Sequence, residues 1–195
     1  MVYLEFMKEI DVKNYEKRLV DIVSQDTYIM SILNAVEKLS LNDAWVCAGL
    51  IRNKIWDHLH NITTPINDID VIYFDTSDTT LELEKQLENE LRFLLPNQPW
   101  SVKNQARMHM KSDFNPFSSS LDGVAHFPET PTAIAVRLYN KELEVMAPYG
   151  LQDLFEMKVK PTPFYQMNSR YYPIYIERMM KKKWDLIWEK LSIEI

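Results

Sequence analysis

The sequence predicts an α+β fold, a mixed sheet flanked by helices, on three observations. Short apolar runs rich in Val, Ile, Tyr and Phe alternate with stretches whose apolar residues recur every three to four positions. Two of the strand-like runs are separated only by Asn140-Lys141-Glu142, a hairpin-length connection. The 195 residues, 46% of them apolar, suffice for one core, so 1–195 is expected to form one domain. Within it, helices are expected over 1–40, the sheet-forming region over 41–150 and a helical segment over 151–195.

Glu5 to Leu39 reads as helix with a break near Gln25-Asp26. There Asp26 or Thr27 would cap a second helix with the stripe Ile29, Ile32, Leu33, Val36 and Leu39. Trp45-Val46-Cys47-Ala48 ends at a glycine and suits a buried strand. Leu50 to Asn61 places Ile51, Ile55 and Leu59 in one helical row, with Arg52, Asn53, Asp57 and His60 opposite. Thr63-Thr64-Pro65 is a loop, Asp68 to Phe74 a strand, and Thr79 to Leu95 an amphipathic helix stopped by Pro96. Trp100 to Lys103 reads as a strand, Gln105 to Phe117 shows no period, and Leu121 to Phe127 is a short helix capped from Ser118-Ser119-Ser120. Ala133 to Tyr139 and Leu143 to Ala147 form the hairpin, Gly150 to Phe155 a helical turn, Pro161-x-Pro163 a connector. Tyr171 to Leu191 is mostly helix, entered near Pro173. With only three glycines, each should stand where the backbone demands one.

The formal charge of −6, from 28 acidic and 22 basic residues, opposes a broad phosphate footprint, so strong nucleic-acid binding is not expected. Lys158, Lys160 and Lys181-Lys182-Lys183 could form a basic patch for RNA, but lysine runs near a helix end usually read as solvated surface. Cys47 is the only cysteine, which excludes an intramolecular disulfide and a cysteine zinc site. Met1 to Asp11 lacks an apolar signal core, and no stretch reaches the ~20 apolar residues of a membrane span. A cytoplasmic protein without a membrane partner is expected.

The chemistry-bearing segment is Asn67-Asp68-Ile69-Asp70-Val71. Alternate strand residues share a face, so Asp68 and Asp70 converge while Ile69 and Val71 enter the core. Two carboxylates about 5 Å apart repel by roughly 3 kcal/mol at an effective dielectric near 20, which solvent, a base or a metal ion must offset. Mg²⁺ binds through one or two carboxylates, waters and substrate phosphates. Upstream, Gly49 stands at a strand-to-helix junction where phosphate can approach free N–H groups. Arg52, in the first turn, can add a guanidinium fork to a triphosphate or to an aspartate.

Strand, glycine, helix bearing arginine, loop, then Asp68-Ile69-Asp70-Val71: this order resembles the nucleotidyltransferase superfamily, and most of all the head domain of CCA-adding enzymes and poly(A) polymerases. Their G-G-x-V-R-D motif lines up with Ala48-Gly49-Leu50-Ile51-Arg52-Asn53, and Asp68 and Asp70 match their D-x-D. Ala48 and Asn53 depart from that pattern. Residues 20 to 190 are also similar to a family of bacterial nucleotidyltransferase-like proteins of unknown substrate. That likeness runs through Asp68 to Asp75, Pro99 to Arg107, Pro128-Glu129-Thr130 and Leu143-Glu144-Val145.

The resemblance implies the polymerase-β-like nucleotidyltransferase fold and transfer of a nucleoside monophosphate from an NTP to an acceptor. It implies Mg²⁺, with Mn²⁺ as the alternative, held by Asp68, Asp70 and a third carboxylate. Glu144 has the matching strand parity, and Glu142 shares it. The two metal ions would stand about 3.5–4 Å apart. Gly49 and Arg52 would serve the phosphates; Lys103, Asn104 and Arg107 are candidates for nucleotide contact. Only the head domain is matched, and the residues after Ala147 suffice for one or two helices rather than a tRNA platform. A small molecule or a protein is therefore the expected acceptor. The rival readings are a non-catalytic nucleotide-binding or antitoxin-like module of the same fold and a metal-dependent phosphohydrolase.

Overall fold

The computed structural model describes residues 14–195. Positions 5–13 of the expected first helix lie outside the described residues; α1 occupies residues 14–24 and α2 Thr27–Lys38. The break falls at Asp26 because its carboxylate accepts the N–H groups of Tyr28 and Ile29 and so caps α2. Ile29, Ile32, Leu33 and Val36 then enter the core, as their spacing predicts.

Five strands form the main sheet: β1 Trp45–Cys47, β2 Ile69–Tyr73, β3 Trp100–Asn104, β4 Ala135–Tyr139 and β5 Glu142–Met146. Their order is β3-β2-β1-β4-β5. Only β2 and β3 are parallel; the other pairings are antiparallel, which makes the sheet mixed. The parallel pair needs a crossover, and α4 (Leu81–Leu94) supplies it. α4 also protects the open edge of β3. Its Glu88 and Glu84 carboxylates accept the N–H groups of Val102 and Asn104 at 3.1 and 2.8 Å.

The two faces of the sheet are covered unequally. Val46, Val71, Val102 and Val136 pack under α2, α4 and α3 (Gly49–His60) in the large core. On the other face a small cluster gathers Trp45, Cys47, Ile72, Ala135 and Met146 against Val124 of α6 (Ser120–Ala125). Asp70 belongs to this second face, beside Cys47 on β1 and Ser101 on β3.

The unpatterned stretch after β3 forms a short helix, α5 (Gln105–Met108), continued by a 3-10 turn over His109–Lys111. α7 spans Gln152–Phe155. Toward the C-terminus the expectation of a long helix is corrected. α8 runs only from Tyr172 to Lys182, Lys183 turns left-handed at φ 47°, and a 3-10 turn covers Trp184–Leu186. Ser192–Ile193 (β7) then pairs in parallel with Lys158–Val159 (β6). Trp184 and Trp188 both lie edge-on to Trp56, with ring centroids at 5.6 and 5.1 Å, so burial of two tryptophans holds this end of the chain down. No helix among the described residues is long and apolar enough to cross a membrane.

Candidate active site

The turn between β1 and α3 builds the site. Ala48 adopts φ 57° and ψ −124°, a conformation that favours glycine, and Gly49 opens the helix. A Cβ on Gly49 would lie 3.7 Å from Asp68 Oδ1 and 3.9 Å from Arg52 Nη2. Gly49 thus separates a carboxylate from a guanidinium, and the missing side chain leaves the space between them open.

Asp68 is exposed immediately before β2, and Asp70 is half-buried within it. Burial raises the Asp70 carboxyl above the usual range and the Asp68 charge adds to this; the Ser101 hydroxyl, Lys103 and Lys182 oppose it. Beside Asp70 in the register, the Cys47 thiol is pushed well up by burial, then by Asp70 and Asp68. A thiol held protonated is a poor nucleophile.

Arg52 is buried under the cleft floor. Nη1 donates to Thr132 Oγ1 at 2.7 Å, while Nε and Nη2 donate to Asn53 Oδ1 at 3.2 and 2.8 Å. Its guanidinium also lies over Trp184 and Trp56, at 4.0 and 5.0 Å to the ring centroids. The fork expected to grip a triphosphate is already occupied, so Arg52 acts as a fixed charge more than as a free clamp. Burial lowers its pKa to about 10, Glu129, Asp68 and Asp70 pull it up, and Arg178 pushes it down. It remains protonated at neutral pH.

Two cations to which the sequence alone assigns no part in this site complete the cleft. Arg178 and Lys182, one turn apart on α8, line it with Arg52, Asp68, Asp70 and Thr132, around a volume of about 480 Å³. Arg178 is held by the wholly buried Glu129, which accepts from Nε at 2.6 Å and from Nη2 at 3.2 Å. Their i, i+4 spacing was the available signal, and Glu129 stood in a quoted motif without a role. A hollow of about 630 Å³ beside Glu37, Asp43 and Arg137 touches neither aspartate.

The remaining candidates lie elsewhere. Glu144, on the far edge strand, shares the face of Asp70 but stands three strands from β2, about 14 Å at normal strand spacing. It binds Arg137 Nη2 at 2.5 Å instead, and Glu142, exposed beside the turn, is on the same edge strand. No group of three His, Cys, Asp or Glu among the described residues is placed to hold a metal. Asn104 is fully buried, bonding Asp75 and Asp78 carbonyls and capping α5. Arg107 is spent on Glu84, with Nε to Oε1 at 2.8 Å and Nη2 to Oε2 at 2.5 Å. Lys103 is shared between Glu88 at 3.5 Å, Glu84 at 3.8 Å and the field at Asp70.

Comparisons with known proteins identify the family and the fold. A model of a family described as nucleotidyltransferase matches residues 34–193. An NMR structure described as revealing a CCA-adding enzyme head domain is 34% identical, with a TM-score of 0.80 over 91% of this chain and 95% of that one. A CCA-adding enzyme solved with CTP shares the fold at 15% identity and a TM-score of 0.59, over 92% of this chain and 43% of that one. The Bacillus stearothermophilus CCA-adding enzyme with CTP does so at 12% and 0.55, over 87% and 42%. This chain therefore spans under half the length of those two enzymes. A search of curated proteins returns no match. On the family match and the head-domain likeness, the chain belongs to the nucleotidyltransferase family.

Proposed function

We propose that this protein transfers a nucleoside monophosphate from an NTP to a small-molecule or protein acceptor in the cytoplasm, with Mg²⁺ or Mn²⁺ at Asp68 and Asp70. The observation that carries this reading is that both aspartates open into one cleft with Arg52, Arg178 and Lys182. The residues fit a divalent ion: two carboxylates suffice when water and phosphate oxygens complete the shell, and the open space at Gly49 admits those oxygens. When bound, the metal supplies charge stabilisation to the reacting phosphoryl group and acidifies an acceptor hydroxyl.

The protein's own groups divide the remaining work. Arg178 and Lys182 meet the phosphates that leave, and Glu129 keeps Arg178 in place. Arg52 offsets phosphate charge from below, where low dielectric strengthens its field. Ser101 and Lys103 favour the ionised form of Asp70 and so oppose the rise that burial imposes on its carboxyl. No covalent nucleophile is required, consistent with the protonated Cys47.

The experiment is product analysis with an α-labelled NTP and Mg²⁺. Label joined to an acceptor with equimolar pyrophosphate supports the reading. Release of inorganic phosphate would indicate a hydrolase instead, and binding without turnover a regulatory module.

A further inference from the structure

Asp68 lies at the junction of two clefts. Beyond the nucleotide cleft, a second one of about 500 Å³ shares Gly49, Asn53 and Asp68 with it and continues toward Asp26, Lys54, Ile62 and Ile66. Thr64, Pro65 and Asn67 line both clefts, so their loop stands between them, while Ile66 lines only the second. We infer that this second cleft admits the acceptor, and that the acceptor is a neutral or cationic hydroxyl-bearing small molecule; this rests on the nucleotidyl-transfer reading above.

Charge separates the two clefts. The first sets Arg52, Arg178 and Lys182 against Asp68 and Asp70. The second sets Lys54 and the imidazole of His58 against Asp26, Asp57 and Asp68, and Lys54 Nζ is already ion-paired to Asp26 Oδ2 at 2.5 Å. Asp57 is also engaged, by Thr64 and by the Trp188 indole N–H at 2.8 Å. Three carboxylates outnumber the one lysine of this lining, which is already paired, so a polynucleotide or sugar phosphate would meet net negative charge. An uncharged polyol or an amine would not.

The lining suits a small molecule in other ways. Its volume lies within the roughly 300–1,000 Å³ of small-molecule sites. Ile62 and Ile66, 41% and 39% exposed, give this cleft an apolar wall beside which an acceptor carbon skeleton can lie. An acceptor oxygen arriving from this side reaches Asp68, where the nucleotide's phosphates arrive from the other. Its oxygen then bonds to the α-phosphorus, the bond to pyrophosphate breaks with its electron pair, and the hydroxyl proton leaves to water.

Ile66→Trp, with Ile62→Trp as a second variant, tests this by filling the second cleft from exposed positions. Calorimetry first measures binding of each NTP with Mg²⁺ to wild type and variants. Pyrophosphate release is then followed with D-ribose, D-glucosamine, choline and adenosine, and with glucose 6-phosphate and a tetranucleotide as phosphorylated probes. Expected is at least tenfold stimulation by an unphosphorylated hydroxyl-bearing probe, lost in both variants while NTP affinity stays within twofold. Stimulation by the phosphorylated probes alone, stimulation untouched by the tryptophans, or NTP binding without any stimulation would overturn the inference. Wild type that binds no NTP would overturn the nucleotidyl-transfer reading itself, and this inference with it.

Discussion

The guanidinium carbon of Arg52, in the first turn of α3, lies 4.0 Å from the centroid of Trp184 near the C-terminal end of the chain. The contact joins the N-terminal end of α3 to the segment that carries Lys182. It also makes arginine hard to replace by lysine, whose ammonium cannot stack or fork. Arg52→Lys should cost about 2 kcal/mol of stability, from lost bonds to Thr132 and Asn53, and weaken triphosphate binding about tenfold. Thermal denaturation and NTP titration measure both, and a lysine variant equal to wild type would refute the fixed-charge role.

Glu129→Gln should separate the two arginines from their shared anion. Removing one partner of a buried pair typically costs about 3 kcal/mol, and here Arg178 loses the group that orients it. Affinity for an NTP should fall more than affinity for the nucleoside, because Arg178 addresses phosphate. Equal losses for both ligands would reduce Glu129 to a packing role.

Exchanges at Ala48 and Gly49 should separate stability from NTP binding. Ala48→Gly relieves an alanine at φ 57°, ψ −124°, and should stabilise the fold by about 1 kcal/mol net of glycine's entropy. Gly49→Ala should leave stability level or slightly raised, since the added Cβ meets nothing closer than 3.7 Å. It should nonetheless weaken NTP binding at least tenfold by occupying the space between Asp68 and Arg52. Calorimetric and thermal measurements on both variants check the pair.

Asp70 has a raised carboxyl pKa in the fold, so the native state binds that proton more tightly than the unfolded chain does. Its ionisation therefore opposes stability fully above the native pKa, and the penalty fades as pH falls through that value toward the unfolded ~3.9. Metal-free Asp70→Asn should melt no lower than wild type at pH 7, and any advantage should shrink on acidification. Melting curves from pH 7 to pH 4 test this; severe unfolding of the variant would mean that Asp70 is needed by the fold.

What was legible in the sequence was local. Asp26 as a cap, β1 ending at a glycine, and the alternation of Asp68 and Asp70 need only neighbouring residues, and the structure places all three close to their expected positions. Glu144 illustrates the limit: parity selects a face of the sheet, but strand order puts β5 at the far edge. Asn104 and Arg107 lie close to Lys103 in sequence yet are claimed by the 75–78 loop and by Glu84, partners supplied by folding. Thr132, Glu129 and Arg178 come from distant segments, and only packing brings them to Arg52.

The most direct test is calorimetric titration of CTP and ATP into wild type, Asp68→Asn and Asp70→Asn, each with Mg²⁺ and with a chelator. A metal site formed by the two aspartates predicts binding by wild type only with Mg²⁺, and at least a hundredfold loss in either variant with no fall in the metal-free melting temperature. Equal affinity with the chelator, or variants that bind as wild type does, would contradict it.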